Sequence, residues 1–411
     1  MQEQMSLVRP AVCLTLILSF NSLALAGDLN PPPGPVGPTM KTLVEVEPRV
    51  SVQSLPGSAT ALHVITEPGS YYLTGNITGV AGKNGILINT TPVSLDLSGF
   101  VLTGVPGSLS GILSAAQGQS IRIYNGSIES WGGDGITADQ SNGADFEQRG
   151  EFHDLIVANN GTGLHAGLRA GSNAIVERCI ARGNKGDGIA VFDQCIVRDC
   201  VSVENTRSGI FLRSGTTVQG CTTSKNMIDG ISSDSPAIGS RVIESIARSN
   251  QRDGIHLAGV AHVVSRSTVN ANGGKGVLVG ESSAVSEVVA VGNSGTGIWT
   301  ESTSSVRACT LWSNHDNGIR VVRGCLIKDN NVGGCNPNGI LVLSDEGRII
   351  DNLLQNNTFG IELATGGNLI VRNSALGNGV DFAIPAQNLF GPVSTDPTTA
   401  SEWANFQFPQ P

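Results

Sequence analysis

The chain has 411 residues, of which 53 are glycine and 18 proline, while only 14% are charged and 4% aromatic. That composition excludes a coiled coil or a disulfide miniprotein and argues against wholesale disorder. A formal charge of −9 is a poor footprint for nucleic acid or an anionic membrane, so neither is expected as a partner.

Residues 1–26 read as a signal peptide. After Arg9, residues 11–26 (AVCLTLILSFNSLALA) form a short apolar stretch ending in Ala24-Leu25-Ala26, the small-x-small pattern that precedes cleavage. No other segment approaches 18 uninterrupted apolar residues, so the mature chain is expected to be secreted, extracellular or periplasmic, with no membrane span. Residues 27–41 carry five prolines and three glycines and are expected to form an extended Pro-rich arm. Residues 42–80 are expected to cap the body that follows, because the end of a stacked-strand body is otherwise an open sheet edge.

Residues 81–385 repeat. Aligned on a Gly followed by Ile, Leu or Val, fourteen repeat anchors run from Gly85 to Gly379, through Gly163, and six of the thirteen intervals are 21 residues. Twelve positions before the glycine stand Val176, Val197, Val218, Val242, Val264, Val285 and Val306. Four positions before it, Asn recurs from Asn159 through Asn184, Asn205 and Asn226 to Asn356. Short β-branched runs broken by Gly, Asn and Ser leave no room for a crossover helix, so the period predicts a coil of β-strands stacked turn on turn at about 4.8 Å. The valines and the residue after each Gly would then form a dry interior, and the asparagines would sit at bends. Cys179, Cys200 and Cys221 share one position in three successive repeats, followed there by Ser245, Ser267 and Cys309. They read as stacked buried thiols, although neighbouring turns are close enough for one disulfide. Cys195, Cys325 and Cys335 bring the cysteines after the leader to seven.

The widest interval, between Gly135 and Gly163, holds Asp145, Glu147, Arg149, Glu151, His153 and Asp154, and is expected to leave the coil as a loop. Residues 386–411, with Phe390, Trp403, Phe406 and Phe408, are expected to cap the other end.

The recurrent V-x-x-C/S-x-A-x-x-N-x-x-x-G-I pattern, as in VERCIARGNKGDGI from Val176 to Ile189, resembles the right-handed parallel β-helix proteins of the pectin-lyase-like superfamily. The PPPGPVGP arm, the EVEPR segment (Glu45 to Arg49) and YYLTGNITG resemble a group of secreted bacterial β-helix proteins of unassigned activity. The fold expected is therefore all-β, a single-stranded right-handed parallel β-helix of about 13–14 rungs. The motifs of polygalacturonases (Asn-Thr-Asp, Asp-Asp, Gly-His-Gly, Arg-Ile-Lys) and the Trp-Ile-Asp-His of pectate lyases are absent. A standard pectinase is disfavoured, and with Met40 and Met227 the only methionines after the leader, so is a methionine-rich copper site.

Strand alternation sorts the residues after each glycine. With the first and third inward, the second and fourth face out, which places Phe211, His256, Trp299, Arg320, Arg213, Asp234 and Glu301 on one outer face. Arg213, Asp234 and His256 are the candidate catalytic residues, a cation for a uronate or oxyanion beside two proton carriers. Phe211, Trp299, Glu301 and Arg320 are the candidate ligand-binding residues. No metal site is assigned, although Asp229 and Asp253, each before its Gly on adjacent turns, offer a pair that could take calcium. The chain is thus expected to bind or process a polysaccharide or cell-surface glycan, as a polysaccharide lyase or glycoside hydrolase if it is an enzyme. The alternative is a noncatalytic structural or adhesin-like surface protein.

Overall fold

Short strands separated by bends cannot pair within one turn of chain and pair instead with the next turn. A computed structural model describes residues 49–115, 120–138 and 149–408. The expected leader, Pro-rich arm, Asp145 and Glu147 lie outside the described residues. Fifteen strands, from Ala61–Ile65 to Val380–Ala383, form one sheet, each pairing with the strand of the next turn. Thirty further strands form a second continuous hydrogen-bonded set. The pairing is parallel and in register, as where Val176 meets Val197, Val197 meets Val218, and Val218 meets Val242. The molecule is an all-β parallel solenoid of about fifteen turns, and among the described residues its one helical segment is the short 3-10 turn Val52–Ser54. No helix in those residues is long and apolar enough to cross a membrane.

The expected valine column is fully buried from Val176 to Val306, and so are the residues after the glycines, among them Ile189, Ile210, Ile231, Ile255 and Ile298. Gly serves there because turns approach closely. A Cβ on Gly276 would lie 2.5 Å from the carbonyl oxygen of Gly297, and one on Gly209 would lie 2.7 Å from that of Gly230. The turn count exceeds the expected 13–14 because Ala61–Ile65 supplies a turn with no Gly-aliphatic anchor.

Three expected positions shift. Leu168 pairs with Ile136 and Ile189, so Gly167 rather than Gly163 is the anchor of that turn, and Leu164 is 70% exposed. At the far end Ile361 pairs with Phe382, which sets Asp381 rather than Gly379 opposite Gly360. The charged segment expected to leave as a loop is partly strand, since Arg149–Ala158 pairs along its length with Ser120–Glu129.

The bends carry polar ladders. Asn184 donates from its backbone N–H and its side-chain amide to Oδ1 of Asn205, at 3.0 and 2.9 Å, and Asn205 does the same to Asn226. The series runs on through Asn250, Asn272 and Asn293 to Asn314. Asn159 and Asn356 stand one residue outside it, taking the left-handed backbone of the bend at φ 54°, while Asn160 and Asn357 enter the ladder. Cys335 fills the asparagine place between Asn314 and Asn357, its N–H donating to Oδ1 of Asn357.

The stacked thiols belong to a second ladder. The N–H of Cys179 donates to Sγ of Cys200, that of Cys221 to Oγ of Ser245, and that of Cys309 to Oδ1 of Asn330. All seven cysteines after the leader are buried and free, and burial pushes the thiols of Cys195 and Cys309 up to about 11. His262 joins a third ladder. Its Nδ1 accepts from the N–H of Ser240, so its proton is on Nε2 and goes to the carbonyl of Ala258, and burial holds the ring below the usual histidine range.

Replacing one ladder amide strands its neighbours' donors. Asn272→Ala should destabilise the chain by on the order of 3 kcal/mol, measured by urea unfolding, because the N–H and amide of Asn250 lose their acceptor.

Candidate functional site

On the fifteen-strand sheet the residue after each buried aliphatic points outward, and register stacks these residues into one column. Phe211 pairs with Ser232, Ser232 with His256, His256 with Leu278, Leu278 with Trp299, and Trp299 with Arg320. The expected face therefore exists as a continuous stripe.

The structure groups its residues differently from the sequence expectation. Arg213 and Asp234 come together, Nε lying 3.4 Å from Oδ2, with both side chains more than 40% exposed. An ion pair that open is worth at most about 1 kcal/mol. The Arg213 guanidinium also lies 4.4 Å from the centre of the Phe192 ring. No hydrogen bond or ion pair joins His256 to Asp234 among the described residues. His256 instead turns Nδ1 toward two other carboxylates, 3.4 Å from Oδ2 of Asp253 and 3.8 Å from Oδ2 of Asp229.

Asp229 and Asp253 precede Gly230 and Gly254 at equivalent bends and are each about 4% exposed. They are buried because they also work as ladder acceptors. Oδ1 of Asp229 takes the N–H of Asp253 at 3.0 Å, and Oδ1 of Asp253 takes the N–H of Lys275 at 2.7 Å. Asp187 stands at the same position two turns before Asp229 and accepts from Ser208. With one oxygen of each carboxylate so employed, the other two meet the imidazole. Burial raises the Asp229 carboxyl above the ordinary range and nearby Asp253 adds to this, against the opposing pull of the Asp253 N–H, Arg252 and His256. The sequence marked Asp229 and Asp253 by their spacing, but nothing in it showed that His256 closes over both.

Donor atoms of Asp229, Asp253 and His256 all lie within 4.8 Å of one another, so these three residues could hold one metal ion. One imidazole nitrogen with two carboxylates is a set that manganese or zinc takes, whereas calcium prefers oxygen ligands throughout.

The remaining expected residues lie along the same stripe. Phe211 is half-buried. Trp299 lies under two cations, Arg320 at 3.9 Å from the ring centre and Lys275 at 4.9 Å, drawn from the turns after and before it. Trp299 Nε1 and Arg320 Nε are buried without a hydrogen-bond partner among the described residues. Glu301 follows the strand Ile298–Thr300, half-buried, and makes no ion pair among the described residues.

The repeat is matched by a known family. Residues 84–239, 234–376 and 294–399 match the family described as "Right handed beta helix region". The chain belongs to that right-handed β-helix family. Among solved structures, the A-module of the mannuronan C-5 epimerase AlgE6 of Azotobacter vinelandii is 14% identical, with a TM-score of 0.49, covering 88% of this chain and 99% of that one. Tailspike protein 3 of bacteriophage CBA120 is 12% identical, with a TM-score of 0.48, covering 83% of this chain and 60% of that one. The periplasmic alginate epimerase AlgG is 12% identical, with a TM-score of 0.38, covering 80% and 81%. No curated protein matches the chain.

The raised Asp229 carboxyl fixes the sign of one pH effect. A folded-state value above the unfolded one contributes stability at low pH that is lost as pH rises through the folded value. Asp229→Asn keeps Oδ1 as acceptor and removes the buried charge, so the variant should gain stability over the parent at pH 7. Urea unfolding at pH 7 and pH 4 should show that gain shrinking at the lower pH.

Proposed function

We propose that the outer face of the fifteen-strand sheet binds a polysaccharide and cleaves it by proton transfer, as a polysaccharide lyase or a glycoside hydrolase. The observation that carries the reading is the meeting of two nearly fully buried carboxylates with one imidazole that is about a quarter exposed. Burial makes Asp229 easier to protonate than an exposed aspartate, and His256, with Nδ1 3.8 Å from it and its ring about a quarter exposed, can pass a proton between that acid and a bound sugar.

In this reading Arg213, held by Asp234, neutralises a carboxylate or a developing oxyanion on the chain. Phe211, Glu301 and Arg320 supply contacts along the stripe, where a polymer can lie across successive turns. Secretion after removal of residues 1–26 would bring the face to such a polymer.

A second reading, a noncatalytic adhesin-like rod, draws on one observation. Trp299 is covered by Arg320 and Lys275, so it is no open platform for a sugar ring.

The two readings separate in one experiment. Purified protein is screened on a panel of acidic and neutral polysaccharides for binding, for reducing ends and for unsaturated uronates. The enzyme reading expects product from at least one polymer, falling about 100-fold in His256→Ala while binding persists. Binding without product from any polymer would sink it.

A further inference from the structure

A second cluster of chemically capable side chains lies on the other strand set, where Ser120–Glu129 pairs with Arg149–Ala158. Register sets Arg122 beside Glu151, Tyr124 beside His153, and His153 beside Glu177 of the following turn. The Tyr124 and His153 rings stack at 4.9 Å with 13° between their planes, and the Arg122 guanidinium lies 5.0 Å from the centre of the Tyr124 ring.

The hydrogen bonds determine the state of the imidazole. Arg122 Nε–H donates to His153 Nε2 at 2.9 Å. A guanidinium can only donate, so Nε2 must be the acceptor and the ring is neutral. Its proton is then on Nδ1, which donates to Oδ2 of Asp154 at 2.9 Å. Arg178 grips the same carboxylate through two bonds, at 2.8 and 2.9 Å. Those bonds first, and that from His153 second, hold Asp154 well below the usual carboxylate range. An ionised aspartate thus orients a neutral histidine whose free lone pair is covered by an arginine.

That arrangement leaves one cation poorly matched. Arg178 bonds to Asp154 and Glu177, and Arg198 to Glu177 at 2.6 Å. Arg122 has a neutral ring as its nearest partner and Glu151 only at 3.6 Å. Its two terminal amino groups donate no hydrogen bond among the described residues. Arg122, Glu151, His153, Arg178 and Arg198 line a cavity of about 270 Å³, just under the roughly 300–1,000 Å³ of sites for drug-sized ligands.

We propose that this cavity binds a carboxylate-bearing ligand of monosaccharide size, a hexuronate, with Arg122 as the docking cation and His153 as the group that binding uncovers. A carboxylate matches the two-pronged guanidinium better than a single imidazole nitrogen does. Its arrival draws Arg122 away from Nε2, and the lone pair, still aimed by Asp154, becomes available to the ligand. The site stands apart from Asp229, Asp253 and His256, which are on the other sheet, and does not depend on their role.

The test follows imidazole ¹⁵N signals of the full chain, labelled at histidine, during titration with sodium D-galacturonate and with D-galactose as the neutral control. Calorimetry runs in parallel, and His153→Gln assigns the signal. Galacturonate should move the His153 Nε2 resonance saturably and galactose should not. Affinity should fall at least tenfold in Arg122→Gln and severalfold in Arg122→Lys, which keeps the charge and loses the planar fork. Arg213→Gln, on the other sheet, should leave the His153 response within twofold of the parent. An unmoved His153 signal, an equal response to galactose, or undiminished binding in Arg122→Gln would each overturn the proposal.

Discussion

A backbone N–H at each bend has no partner within its own turn, and the molecule is organised around supplying one. Where the chain turns between strands it adopts a left-handed residue, as at Arg178, Asp199, Glu244 and Arg266, and the next residue points its N–H along the stacking axis. The equivalent side chain of the following turn accepts it: a sulfur at Cys200, a hydroxyl at Ser245 and Ser267, an amide oxygen at Asn330. Unpaired buried donors are costly, so each turn specifies which atoms the next must offer and where. The repeat preserves an acceptor at most of these places, Val288 being an apolar exception, and leaves its chemical identity free. That freedom explains cysteine, serine and asparagine in one column, and a thiol in the asparagine column at Cys335.

The same constraint shapes the candidate site. A carboxylate is ordinarily expelled from a protein interior, yet Asp229 and Asp253 are retained because each accepts a backbone N–H of the next turn. Their second oxygens are then left at the boundary between core and solvent, which is where His256 reaches them. Structural need and chemical opportunity coincide in one side chain. Arg213 and Asp234, placed on the same face without such a duty, remain an open surface pair.

A stack of near-equivalent turns also places side chains in columns on its outer faces. On one set of strands the column runs Phe211, Ser232, His256, Leu278, Trp299 and Arg320; on the other it runs Tyr124, His153, Glu177 and Arg198. Both present a histidine oriented by aspartate, and both do so on a rigid, in-register surface. The fold itself is neutral about chemistry; it supplies places at regular intervals, and the residues at a few of them do the rest.

By itself the sequence determined the period, the parallel stacking, the buried valine column and the shared place of Cys179, Cys200 and Cys221, because all of these follow from residues recurring at a fixed spacing. It misplaced Gly163, Gly379, Asn159 and Asn356, since a chain with irregular bends can offer a second glycine or asparagine a residue or several away from the one that stacks. Which groups meet across turns was decided in three dimensions. That His256 leans on Asp229 and Asp253 rather than Asp234, that Trp299 is covered by cations, and that Arg122 covers His153 depend on the directions side chains take from neighbouring strands and bends. Periodicity specifies the turn to which a residue belongs, and only the folded backbone specifies which way its side chain leaves that turn.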